Sequence, residues 1–175
     1  FHFATRQIIF LIIGVFATMI ALSIPSNLFY NNDWFFLLSS LILLIALFIP
    51  GIGTEVNGSI RWIRFGSINV QPSEVSKLAL LIYISGYCVR RLGEINTTLG
   101  FFRPLIVLAI FGFLIMNQPD LGSTLVIGML VIAILFFAGI SFPQFFLLIS
   151  LMGALATSAV FLTPFRYARL ISFRD

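Results

Sequence analysis

The chain has 175 residues, of which 60% are hydrophobic and 9% charged, with 10 Lys or Arg against 6 Asp or Glu. Soluble domains carry roughly 25% charged residues, so this composition and a mean hydropathy of +1.12 exclude an ordinary water-soluble domain and make lipid the expected solvent. A single cysteine, Cys88, excludes an intrachain disulfide, and the lone His2 leaves no basis for a Cys/His metal cluster.

Six apolar stretches follow one another: Ile8 to Ile24, Trp34 to Ile49, Val75 to Val89, Pro104 to Met116, Leu121 to Ile140 and Phe145 to Leu162. In hydrocarbon every backbone amide and carbonyl must be satisfied internally, and these runs are too long for barrel strands. The predicted fold is therefore all-α, a polytopic transmembrane helical bundle with about six spans. Several runs fall short of the about 20 residues of an ideal span, which tilted or locally broken helices accommodate. The first run leads into further spans without a small-residue cleavage signal, so it is not expected to be a removable signal peptide. Residues 1–175 are expected to form one integral membrane domain with a polar re-entrant or extracytoplasmic loop over 50–74. The start at Phe1 and the stop in an arginine-rich run suggest a piece of a larger protein.

Six alternating passes would put the N-terminus, the 50–74 loop, the Asn117 to Gly122 turn and the C-terminal tail on one face. That face receives Arg6, Glu55, Arg61, Arg64, Glu74, Lys77, Asp120, Arg166, Arg169 and Arg174; the other receives Asp33, Arg90, Arg91, Glu94 and Arg103. The positive-inside rule alone would place the richer face in the cytoplasm. An anionic substrate would instead hold arginines outside for function, so charge counting leaves the orientation open.

Within the polar loop, Gln71-Pro72-Ser73-Glu74 precedes an apolar run, with proline at a first helical position and an acid in the first turn, as a helix start favours. Glu74 and Lys77 are three apart and can compensate each other. A lysine deep in hydrocarbon costs about 3 kcal/mol, so Lys77 is either functional or a snorkelling interfacial residue. Arg61-Trp62-Ile63-Arg64 offers guanidinium forks suited to phosphate; ordinary headgroup contact suits Arg64 better than Arg61. Asn117-Gln118-Pro119-Asp120-Leu121-Gly122 reads first as a tight turn, with Pro119 opening the next helix and Asp120 opposing its dipole, and second as a substrate contact. An inward Asp120 would pair with Lys77 or Arg61.

Four pieces together carry a resemblance: Asn57-Gly58 with Arg61-Trp62 and Gly66; Gln71-Pro72-Ser73-Glu74 with Lys77; Gln118-Pro119-Asp120-Leu121-Gly122-Ser123; and Phe165-Arg166 through Arg169-Leu170-Ile171-Ser172-Phe173. In order and spacing they resemble the SEDS family of polytopic cell-wall proteins (FtsW, RodA, SpoVE). The last piece and Tyr87 to Arg91 are nearest its FtsW subdivision. Asn69 departs from the family pattern, which often has a basic residue just before Gln-Pro.

The resemblance implies a ten-span protein of which this chain is an interior fragment. The implied activity is peptidoglycan glycosyltransfer, polymerising lipid II during cell division. Arg61, Gln71, Glu74, Lys77 and Asp120 would be substrate-binding residues, and no catalytic residue is expected here because the family's base aspartate would lie beyond Asp175. Departing pyrophosphate would be stabilised by cationic groups in a poorly hydrated groove, and a divalent cation could share that charge. The implied partners are lipid II, membrane lipids, a class B penicillin-binding transpeptidase and other divisome proteins, with no nucleic acid. The implied location is the bacterial inner membrane at the septum. Two competing readings are a lipid II flippase and a scaffold that only recruits a partner; buried charge at Lys77 argues against the scaffold, since helix packing in lipid needs small residues and shape.

Overall fold

The computed structural model describes residues 2–56, 59–66 and 68–161, and the chain divides into two compact units, Phe1–Asn32 and Asp33–Asp175. In the first, α1 (His2–Ser23) is followed by the short α2 (Ser26–Asn31). Pro25 stands at the N-cap of α2 in extended backbone, where its missing N–H costs the helix nothing. In α1 the hydroxyls of Thr18 and Ser23 donate to the carbonyls of Gly14 and Met19 one turn back, which satisfies them in an apolar helix without other partners.

The second unit runs α3 (Asp33–Ala46), β1 (Gly53–Val56), β2 (Ser59–Phe65), β3 (Ile68–Val70), α4 (Pro72–Arg90), α5 (Thr98–Met116), α6 (Leu121–Phe137) and α7 (Phe142–Phe161). Helix α4 is its centre, packing chiefly against α3 and α6. Ser73, Ser76, Leu80, Ile84 and Tyr87 recur at three- and four-residue spacing along its buried side, the periodicity that turns one helical face inward. Leu44 of α3, Phe111 and Ile115 of α5 and Ile127, Val131 and Leu135 of α6 complete the core. Helix α7 packs on α6 and buries little more than Leu148.

All six predicted apolar stretches are helical. Two helices, Thr98–Met116 and Phe142–Ala159, are long and apolar enough by themselves to cross a membrane. The six-span expectation is therefore met as helices and not as six self-sufficient spans. Asp33–Ala46 has 14 residues, about 21 Å against the roughly 30 Å of hydrocarbon, and α4, though 19 residues long, carries Glu74, Lys77 and Arg90.

The 50–74 segment, expected as a polar loop, holds a three-stranded antiparallel sheet ordered β1-β2-β3. Ser59 to Phe65 supplies the β-branched and aromatic residues a strand favours. The β2–β3 turn contains Gly66 at φ +59°, the left-handed region that a two-residue hairpin requires and glycine enters without steric penalty. Ile63, buried, faces Val70 across the β2–β3 ladder.

Contacts within this unit sort its polar residues to two ends, as alternation of passes predicts. At one end Asp33 of α3 takes Arg90 of α4 at 2.6 Å, and Asn96 donates to Gly139 O and accepts from Ser141 N. At the other, the sheet meets the α5–α6 turn and the start of α4. Arg166, Arg169, Arg174 and the Phe165 to Phe173 motif lie outside the described residues, as do Asn57 and Gly58.

Candidate functional site

The sheet end of the second unit gathers all five predicted site residues. Gln71 is the N-cap of α4, with Pro72 in the first helical position, as the sequence predicts. Its side chain makes no cap hydrogen bond; its Nε2 instead donates to Asp120 Oδ2 at 3.3 Å. Asp120 is only 7% exposed. Its carboxylate accepts from Ser123 N at 3.1 Å and Ser123 Oγ at 2.8 Å, so Asp120 rather than Pro119 caps α6. An acidic N-cap fills orphan N–H groups and faces the positive end of the helix dipole.

Asp120 pairs with neither Lys77 nor Arg61, contrary to the expectation. Lys77 Nζ meets Glu74 Oε1 at 2.7 Å within the first turns of α4, because residues three apart lie side by side on a helix. Glu74 is 58% exposed at its side chain and Lys77 20%, so the pair stands at the rim with the ammonium the more sheltered partner. Arg61, half-buried on β2, sends Nη2 to Pro119 O at 2.5 Å and Nε to Gln118 O at 3.4 Å. Those carbonyls follow the C-terminus of α5, where a helix carries partial negative charge that a cation relieves.

Arg64 is exposed, and its Nε donates to Asn69 Oδ1 at 3.3 Å across the β2–β3 ladder. Where the family pattern often has a basic side chain, this protein thus has an asparagine with a neighbouring guanidinium drawn to it.

The α4–α6 seam holds further polar groups that were not singled out as site residues. Ser73 and Gln118 are buried, and Ser73 Oγ and Gln118 Nε2 have no hydrogen-bond partner, although such groups cost about 1–3 kcal/mol each when unmade. Ser123 and Ser76 are buried and bonded, to Asp120 Oδ2 and Pro72 O. Their signal in the sequence was the repeat of Gln-Pro followed closely by a serine and an acid in both loops. A cavity of about 490 Å³ adjoins this end, lined by Leu47 to Gly51, Gly53, Glu55, Ser59, Ile60 and Asn117 to Pro119. Among the described residues no three His, Cys, Asp or Glu side chains group to hold a metal ion.

An apolar helical bundle with polar residues at both ends and a small sheet over one of them is the class of protein this fold defines. The chain belongs to the FtsW, RodA and SpoVE family, whose model, described as "Cell cycle protein", matches residues 1–175. It is 42% identical over 171 residues to a Pseudomonas fluorescens protein named "Probable peptidoglycan glycosyltransferase FtsW", covering 97% of this chain and 42% of that protein. A likewise named protein of Allochromatium vinosum is 41% identical over 175 residues, covering 99% and 44%. The chain thus spans less than half the length of these relatives. Among solved structures, Thermus thermophilus rod shape determining protein RodA superposes with a TM-score of 0.67 at 24% identity, over 86% of this chain and 49% of that one. A structure described as the coordination of polymerization and crosslinking by a peptidoglycan synthase complex gives 0.74 at 25% identity, over 95% and 49%.

Proposed function

We propose that this chain is the site-bearing part of a peptidoglycan glycosyltransferase of the FtsW type, which polymerises lipid II at the division septum. The observation that carries the reading is the sheltered Lys77 ammonium at the start of α4, set beside a buried frame made by Gln71, Asp120 and Ser123. In the proposed reaction the sugar hydroxyl of one lipid-linked disaccharide forms a bond to the anomeric carbon of another. The bond from that carbon to undecaprenyl pyrophosphate breaks, and the hydroxyl proton passes to a carboxylate base, which in this reading lies outside these 175 residues. Negative charge grows on the leaving pyrophosphate, and a poorly hydrated ammonium near a helix N-terminus stabilises it more than water would. Glu74 keeps Lys77 aimed until substrate arrives; Gln71 and Asp120 hold the start of α4 to the α5–α6 turn.

In the same proposal the helices are six passes of a ten-span inner-membrane protein. The 53–70 sheet faces outward from the cell, and a class B penicillin-binding transpeptidase with other divisome proteins accompanies it. The names of the relatives and the synthase-complex neighbour support this reading.

The second reading is a flippase for lipid II, which needs a polar path to both faces. Four of the charges at the opposite end are engaged with one another, Asp33 with Arg90 and Arg91 with Glu94, which favours the enzyme. The test reconstitutes the full-length parent with its transpeptidase partner and labelled lipid II, comparing wild type with Lys77→Ala. Glycan polymer from wild type and little from the variant is expected. No polymer from either, with wild type accelerating lipid II exchange between leaflets, would promote the flippase.

A further inference from the structure

We infer that Arg61 is a positioning residue: from β2 it grips the backbone of the α5–α6 turn and so holds Asp120 where Gln71 reaches it, instead of contacting the leaving pyrophosphate. The inference deepens the glycosyltransferase reading and rests on it for its kinetic arm alone.

Arg61 donates to two consecutive carbonyls, those of Gln118 and Pro119, which immediately precede the N-cap residue of α6. Pro119 brings no N–H of its own to the turn, so the turn's hold on α5 comes from Asn117, which donates to Phe113 O, and from Gln118 N and Asp120 N, both donating to Ile115 O. Arg61 adds the only described side-chain bonds from the sheet to these carbonyls, across more than fifty residues of sequence.

The bonds close a ring. Arg61 is two residues from Ile63, which pairs with Val70 across the β2–β3 ladder. Val70 is followed by Gln71, whose amide reaches Asp120; Asp120 follows Pro119, whose carbonyl returns to Arg61. Sheet, turn and α4 start are thereby tied together, and Glu74 and Lys77 project from the first turns of the helix so tied. The guanidinium is half-buried and already engaged by the negative end of the α5 dipole, which leaves it poorly placed to lose those partners to a substrate. A closed ring of this kind supplies preorganisation, where a displacement of about 1 Å can cost on the order of 100-fold in rate.

The test uses the detergent-solubilised full-length parent and has two arms. In the first, without substrate, hydrogen–deuterium exchange is followed in the segment 117–124 for wild type, Arg61→Ala and the milder Arg61→Lys. Loss of the brace is expected to raise exchange there about tenfold in the alanine variant, less in the lysine variant, with the middle of α5 unchanged. In the second, lipid II turnover is measured with undecaprenyl pyrophosphate as product inhibitor. Arg61→Ala is expected to lower kcat by roughly tenfold or more, to leave KM and product inhibition near wild type, and to have little further effect in an Asp120→Asn background. Unchanged exchange in 117–124 would overturn the inference, and so would weakened product inhibition with independent effects of Arg61 and Asp120. A wild type that makes no polymer would sink the enzyme reading while the exchange arm still decides the brace; Arg61→Lys carries that decision where the alanine variant does not fold.

Discussion

Asp120 is the residue whose replacement most directly probes the buried frame. Its carboxylate accepts three described hydrogen bonds, from Ser123 N, Ser123 Oγ and Gln71 Nε2, at a position only 7% exposed. Asp120→Ala removes an N-cap, which costs about 1 kcal/mol. It also strands a buried serine hydroxyl and a half-buried amide, each worth about 1 kcal/mol when left without an acceptor. The sum is about 3 kcal/mol, and the melting midpoint of the purified full-length protein in detergent is expected to fall by about 5 °C or more. Asp120→Asn keeps a good capping oxygen but turns an amide donor toward donors, so it should fall between the two. Circular dichroism or intrinsic-fluorescence melting measures both variants. An alanine variant melting within about 1 °C of wild type would refute the frame as a source of stability.

Three further outcomes follow from other contacts. A Cβ at Gly86 would overlap Asp33 Oδ2, so Gly86→Ala should destabilise the protein in the same melting assay, although alanine is favoured over glycine inside a helix by about 1 kcal/mol. Thr97 caps α5 by accepting from Gly100 N at 3.2 Å, so Thr97→Ala should cost about 1 kcal/mol, read as a small drop in Tm that Thr97→Ser largely restores. Arg90→Ala leaves the buried Asp33 carboxylate without its 2.6 Å partner and should cost about 2 kcal/mol after allowing for the partly exposed arginine; Asp33→Asn combined with Arg90→Ala should cost less than the two separate losses added, as a double-mutant cycle reads it.

The helices were legible because apolar runs, Pro72 at a helix start and polar Asn117 to Asp120 between two runs are local signals. The sheet is less legible, although Asn57-Gly58 between β-prone runs is a hairpin signature. Glycines and charges in the segment suggested a loop, and strands of 4, 7 and 3 residues offer little periodicity to weigh against that. Which residues gather at the sheet end is legible as a list and not as a set of bonds. Arg61 and Gln118 are 57 positions apart, and nothing in local sequence says that a guanidinium will choose the carbonyls of an interhelical turn over a nearby carboxylate. The i,i+3 pair of Glu74 and Lys77, a local relation, was read correctly.

These two kinds of contact divide the site by what each can do. Asp120, Gln71 and Ser123 are buried or half-buried and bond one another, and the half-buried Arg61 is engaged by the Gln118 and Pro119 carbonyls; a group so committed is poor at gaining a ligand and good at holding position. Glu74 and Lys77 form a single ion pair at the rim, with the carboxylate exposed and the ammonium more sheltered; a pair with one exposed partner is worth about 1 kcal/mol, so exchanging Glu74 for a dianionic headgroup costs Lys77 little. On that argument Lys77→Met should abolish polymer formation by the full-length protein while leaving its Tm near wild type. Glu74→Gln should be tolerated better, because the glutamate orients the ammonium and does not replace it. A Lys77→Met protein that polymerises at the wild-type rate would remove the ammonium from the reaction and leave this end of the bundle a structural frame alone.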